Sequence, residues 1–380
     1  MAEVYITKTA NFFPNSPVSN DEMEDYLGMI DGKPSKSRRI VLRNNGIVNR
    51  YYAIDKAGNV THSNAEMSAQ ALRKLFDNDP EQIKSIELLS CGTSSADQLM
   101  PSHAVMVHGL LPEMDSVEVV SPAGVCCAGM HSLKYAYMAV KLGDVNNAVA
   151  TGSELFAPLL RANTFEEEAQ KLKSLQENPY IGFEKEFLRW MLSDGAGALY
   201  LSNTKNENEL NLKIDWIEGV SYANKIEPCM YMGCEKLENG SLKSFKTMTP
   251  EELIGGSALS IKQDVKLLSQ HIVSFGYDKL KDIFDKKGIT IEEVDHFLPH
   301  ISSNFFRSKI ADILVEHGMG VPEEKWFINL YTVGNVGAAS IYLMIDELYH
   351  SGKLKKGDKI LLVVPESSRF SYSFGLLTVC

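Results

Sequence analysis

Val125-Cys126-Cys127-Ala128-Gly129-Met130 stands between an apolar strand, Val117-Glu118-Val119-Val120, and a segment with apolar residues at Met130, Leu133, Ala136, Tyr137 and Val140. That three-and-four spacing marks the buried face of an amphipathic helix, and Gly143 is placed to stop it. The reading predicts Cys127 at a helix N-terminus, where unpaired backbone N–H groups and the helix dipole favour a thiolate and so activate a nucleophile. Two later segments supply partners. Phe297-Leu298-Pro299-His300 ends an apolar run on an imidazole, and Gly334-Asn335-Val336-Gly337-Ala338-Ala339-Ser340 puts an amide on a glycine-rich turn into a helix. Taken singly, a cysteine is most often a small buried hydrophobe, and an asparagine at a turn a helix cap. Together Cys127, His300 and Asn335 form one candidate catalytic set.

The Cys-Ala-Gly, Pro-His and Gly-Asn segments, in this order, resemble the thiolase superfamily and within it the ketoacyl synthase III group. The resemblance spans nearly the whole chain and includes Thr151-Gly152-Ser153-Glu154, Asp194-Gly195-Ala196-Gly197-Ala198 and Gly352-Lys353-Leu354-Lys355-Lys356-Gly357-Asp358. It implies an α/β thiolase fold, five-layered αβαβα, built from two duplicated halves. It also implies an acyltransferase that condenses acyl thioesters: Cys127 would carry the acyl group, with Cys126 as its inert neighbour. His300 and Asn335 would donate to an enolate oxygen, and the Cys127 N–H with one from the last hairpin would form a second oxyanion hole. No resident cofactor is implied, since the substrates are phosphopantetheine thioesters of acyl carrier protein or CoA.

Within that group, the opening Met1-Ala2-Glu3-Val4-Tyr5-Ile6, the stretch Asn15-Ser16-Pro17-Val18-Ser19-Asn20-Asp21-Glu22-Met23, and Gly32-Lys33-Pro34-Ser35-Lys36 look like bacterial ketosynthase/cyclases. Those enzymes join two β-ketoacyl chains into cyclohexanediones or dialkylresorcinols. Two alternatives stay open: a conventional synthase III extending a starter with malonyl-carrier protein, and a catalytically silent partner subunit.

Several further residues follow from the resemblance or depart from it. The group's glycine triplet before phenylalanine is Ser367-Ser368-Arg369-Phe370 here, so Arg369 is expected to add a cation near the thioester site, beside Ser368. The insertion Gly32 to Arg43 carries Lys33, Lys36, Arg38, Arg39 and Arg43 where related enzymes offer a tryptophan. Arginines there suit a phosphate or an acidic carrier protein, or form an ordinary solvated loop. Glu154, at a strand end, is either a structural acceptor or a general base whose pKa burial raises. Ser94-Ser95-Ala96-Asp97-Gln98-Leu99-Met100-Pro101 matches the segment that reaches a partner's pocket, which implies a homodimer with Met100 at the contact.

Composition sets the outer limits. With 380 residues, 44% of them hydrophobic, the chain can bury a large core. A net charge of −11 argues against a nucleic-acid partner. Six irregularly spaced cysteines suggest neither a disulfide framework nor a metal site. No basic start runs into an apolar stretch, and none of the sequence looks able to span a membrane, so a cytoplasmic enzyme is expected.

The sequence also repeats itself once. Residues 1–205 and 206–380 read as the two halves, joined through the polar linker Asn203-Thr204-Lys205-Asn206-Glu207-Asn208. Gly92 against His300 and Cys127 against Asn335 give the same offset, since 300 minus 92 and 335 minus 127 are both 208. Equivalent strand-to-helix turns of the halves would then meet in one pocket. The insertion at 157–190 reads as a pocket cover or as a solvated excursion.

Overall fold

The computed structural model describes residues 2–35, 37–164, 187–256 and 258–380. Its main strands are β1 (Tyr5–Phe12), β2 (Leu88–Thr93), β3 (Glu118–Val120), β4 (Asn147–Glu154), β5 (Gly195–Ser202), β6 (Leu212–Ser221), β7 (His296–Pro299), β8 (Lys359–Glu366) and β9 (Ser371–Val379). The helices that cover them are α1 (Asn64–Lys74), α2 (His103–Gly109), α3 (Cys127–Leu142), α4 (Val265–Lys287), α5 (Phe305–Glu316) and α6 (Ser340–His350).

Local chemistry sets the helix ends. α1 opens on a capping box in which the Ser63 hydroxyl and the Glu66 carboxylate satisfy each other's backbone N–H groups. α3 ends as its sequence requires, with Gly143 in the left-handed conformation.

The strand order is β7-β8-β9-β6-β1-β5-β4-β2-β3. Read outward from the middle, each half repeats one plan. Its first strand pairs with the second strand of its last hairpin, that hairpin's first strand follows, and then comes a strand parallel to it. The halves are also hydrogen-bonded to each other, through Tyr5 opposite Lys213 and Ile6 opposite Leu212. One ladder therefore runs through both half-sheets.

The layers follow from the packing. α3 lies between the halves, against β2 and β4 on one side and β8 and β9 on the other, with α6 beside it. Its face of Leu133, Ala136 and Val140 shares a core with Leu88 and Ala148 of the first half and Leu298 and Leu362 of the second. α1 and α2 cover the outside of the first half-sheet, and α4, backed by α5, covers the second. This is the five-layered α/β thiolase arrangement.

Two glycines let the halves close up at the site. A Cβ on Gly129 would stand 2.1 Å from the Ala338 carbonyl oxygen, and one on Gly152 would stand 2.5 Å from the same atom. Only glycine permits the start of α3 and the end of β4 to approach the turn before α6 so closely.

Of the 157–190 insertion, short 3-10 turns are described at Ala157–Leu160 and Ala162–Thr164. The rest of the expected cover, 165–186, lies outside the described residues, as does Lys36. Among the described residues no helix is long and apolar enough to cross a membrane, and no histidine, cysteine and carboxylate group is arranged to hold a metal. All six cysteines are free thiols.

Candidate active site

Three turns from the two halves converge: the start of α3, the segment after β7 and the turn before α6. Cys126, His300 and Asn335 line one cavity there, together with Val125, Gly337 and Ser367. Its remaining wall is mostly apolar and includes Leu188, Leu192, Ile261, Leu268 and Phe306. A second apolar cavity also reaches His300, running between α4 and α5 past Tyr277, Leu280, Leu314 and Tyr372.

Both cysteines are buried at the start of α3. Cys127 is 0% exposed, and its Sγ donates to the Val364 carbonyl oxygen at 3.3 Å, inside the core shared with Met130 and Leu133. Cys126, at the N-cap of α3, is the one on the cavity wall. Both cysteines belong to the core shared by the two halves, and Cys126 touches the cavity as well.

The electrostatics of the two thiols are set by burial and by one carboxylate. Burial, and after it the charge of Glu366, push both thiols well above their usual range. After burial, Glu366 also works against the helix dipole. Its Oε2 accepts the backbone N–H of Val125 at 2.9 Å and of Cys127 at 3.0 Å. The N–H assigned to a second oxyanion hole is therefore already held by a carboxylate.

His300 and Asn335 are built as donors. Burial lowers the His300 imidazole to about 4, which keeps it neutral at ordinary pH. Its backbone N–H is fixed to the Val363 carbonyl oxygen at 2.8 Å. Asn335 Oδ1 accepts the Gly337 N–H at 3.0 Å, which leaves the Nδ2 end of the amide for the cavity.

Glu154 lies behind this wall, against Gly337, with no exposure. Its carboxylate accepts from the Ser94 hydroxyl at 2.7 Å, the Ser95 hydroxyl at 2.5 Å and the Ala338 N–H at 3.0 Å. Burial still raises its pKa to about 7, against the pull of those hydrogen bonds. Both oxygens face internal donors, an arrangement that ties β4 to the turn carrying Asn335.

The other expected residues divide. Arg38 is engaged within its own region: its Nη1 meets Glu24 Oε2 at 2.5 Å and its Nη2 donates to the Asn20 carbonyl, so it is not the open phosphate ligand expected. Arg39 and Arg43 are exposed. Arg369 is exposed as well, with its Nε donating to the Ile226 carbonyl oxygen at 2.8 Å, so the hairpin backbone turns its cation off the cavity wall. Ser368 donates to Glu366 Oε1 at 2.7 Å, while Ser367 lines the cavity. Met100 is 85% exposed and Leu99 79%.

Two residues of the site had no place in the sequence reading. Glu366 immediately precedes the Ser-Ser-Arg departure from the glycine pattern, a position worth reading for that reason alone. Gln263 lines the cavity at 3% exposure with its Nε2 unpartnered, and nothing in its local sequence marks it.

Residues 284–365 match the family described as 3-oxoacyl-(acyl carrier protein) synthase III, C-terminal. The beta-ketoacyl-(acyl carrier protein) synthase III of Clostridium perfringens is 23% identical over 355 residues, 93% of this chain and 92% of that protein. Among solved structures, AbyA1, a tetronic acid condensing enzyme, superimposes with a TM-score of 0.76 at 19% identity, covering 99% of each chain. A variant of OleA from Xanthomonas campestris, solved with lauric acid and lauroyl-CoA, gives a TM-score of 0.73 at 19% identity, again over 99% of each chain. These superpositions establish the thiolase fold. The chain is similar over nearly its whole length to a beta-ketoacyl-(acyl carrier protein) synthase III.

Proposed function

We propose that the protein joins two β-ketoacyl thioesters by a Claisen-type condensation and then closes the product into a cyclohexanedione or dialkylresorcinol ring. The observation that carries this reading is the meeting of His300, Asn335 and the start of α3, the turn that carries Cys127, at one cavity. Cys127, the cysteine of the Cys-Ala-Gly segment, takes the first acyl chain from its phosphopantetheine carrier, on acyl carrier protein or CoA. His300 and Asn335 donate to the enolate oxygen of the second chain, whose carbon attacks the bound thioester. An aldol step then closes the ring, and no resident cofactor is used.

The two apolar cavities that meet at His300 support a reaction between two chains. Gln263, an unpartnered buried donor in a mostly apolar wall, supports a substrate with an additional carbonyl. A second reading, extension of a starter acyl group by a malonyl thioester, is favoured by the name of the curated relative. The deciding experiment offers the protein acyl, β-ketoacyl and malonyl thioesters, follows its intact mass and identifies the products. A cyclic product from β-ketoacyl donors is expected. A linear product formed only with malonyl donors would decide for the second reading.

A further inference from the structure

The second cavity meets the first at His300, where both are walled by Ile272 and Val273, and from there it runs away between α4 and α5. α4 lines it with Ile272, Gly276 and Leu280, a four-residue spacing that keeps to one helical face. α5 answers with Ile310 and Leu314 at the same spacing, and Phe297 and Tyr372 come from the strands beneath.

One contact shapes this slot. A Cβ on Gly276 would stand 2.9 Å from Cε1 of Tyr372, and the Tyr372 hydroxyl donates to the Ile272 carbonyl oxygen at 2.9 Å. Glycine inside a helix is unfavourable, so its place here reflects the ring laid against it. The ring's one polar group is thereby engaged on the α4 backbone, and the slot keeps an almost wholly apolar wall. Such a wall offers nothing to a charged or hydrogen-bonding group and suits a hydrocarbon chain.

Its length follows from the helix. The eight positions from Ile272 to Leu280 rise about 12 Å. An extended chain advances about 3.5 Å for every three bonds, so the slot matches a tail of roughly ten carbons. Leu280 and Leu314 stand at the end away from His300, with Tyr277 stacked on His317 at 4.4 Å between ring centroids.

We propose that this slot binds the alkyl tail of the β-ketoacyl donor, the chain that supplies the enolate, and that Leu280 and Leu314 set the tail length it accepts. The inference rests on the two-chain reaction proposed above. The inner end of the slot assigns it to the donor, because His300 stands there while neither cysteine nor Asn335 lines it. A chain whose thioester oxygen is held by His300 can run its tail into the slot. A chain carried on Cys127 begins instead at the start of α3.

Full-length wild type, Leu280→Ala, Leu280→Phe and Leu314→Phe are loaded with one acyl-CoA and assayed with β-ketoacyl-CoA donors of increasing tail length. Acyl loading is read separately by intact mass over a matching series of acyl-CoA lengths. Each buried methylene is worth roughly fourfold in affinity, so donor kcat/KM in wild type should climb with length and stop near about ten carbons. Leu280→Phe and Leu314→Phe should end the climb about two carbons earlier and lower kcat/KM for the best wild-type donor roughly tenfold. Leu280→Ala should move the optimum about two carbons longer, and it covers the case in which the larger side chains prevent folding. The length preference of loading should stay where it is. A shift in that preference, alone or with the donor's, overturns the assignment to the donor. Donor profiles that move in no variant overturn the slot as a tail site. In both cases wild type still forms the ring and the proposed function stands. A wild type that forms no ring from any β-ketoacyl donor rejects that function, and this inference with it.

Discussion

Glu154 Oε1 accepts the backbone N–H of Ala338 at 3.0 Å, across 184 positions of sequence, and so fixes the end of β4 to the turn that carries Asn335. With Ser94 and Ser95 on the same carboxylate, this is a buried junction between the two halves. Its first consequence is for stability. The Glu154 pKa is raised from 4.5 to about 7, so the folded protein keeps a proton that the unfolded chain releases between those values. Stability from this group is fully present below about pH 4.5 and is lost as pH rises through about 7. The loss is on the order of 3 kcal/mol. Glu154→Gln should flatten that part of the pH dependence in denaturant unfolding, and an unchanged profile would show that the carboxylate titrates normally.

The cysteine pair gives the sharpest test of the site. Cys127→Ala should abolish acyl loading. Cys126→Ala should keep most of it. Peptide mapping of the acyl adduct decides between them, and label on Cys126 would move the nucleophile to the residue that touches the cavity wall.

His300→Ala and Asn335→Ala should each lower condensation by about 100-fold or more while leaving loading of Cys127 largely intact, because their donors act on the later enolate. Burial places His300 near 4, so it remains neutral as pH falls from 7 towards 5. Condensation by acyl-loaded enzyme should therefore show no imidazole titration near 6.5 in a pH–rate profile. Finding one would mean that the ring is solvated in the working enzyme.

Gln263→Leu should raise the KM for β-ketoacyl donors roughly tenfold and leave simple acyl donors nearly unaffected, because the lost donor would have met the extra carbonyl. Equal effects on both donor classes would assign Gln263 to packing alone.

Homodimer formation is a separate expectation. Leu99 and Met100 are 79% and 85% exposed in the single chain, next to the cis Met100-Pro101 bond. Large apolar side chains so exposed are suited to burial against a second copy. Light scattering at micromolar concentration should give twice the chain mass, and Met100→Glu should weaken the association. A monomeric wild type would remove this contact.

The sequence by itself determined the architecture, because the signals involved are local and periodic. Apolar spacing from Met130 to Val140 with Gly143 beyond it sets α3, and the constant offset between the halves matches the repeated strand order around β1 and β6. The types of residue brought together, a cysteine, His300 and Asn335, were legible for the same reason: each stands on a strand-to-helix turn, and such turns gather at one end of parallel strands. Only the tertiary structure decided what surrounds the two cysteines: both are buried in the core between the halves, and Cys126 also touches the cavity, because the phase of a helix start is set by packing and not by composition. It also decided the partners of buried charge. Glu366 meets Cys127 across 239 positions and Arg38 meets Glu24 across 14, contacts made by the path of the backbone after folding. A helix dipole can be read from sequence, whereas the carboxylate that occupies its end cannot, because hydrogen bonding and desolvation act through distance in space.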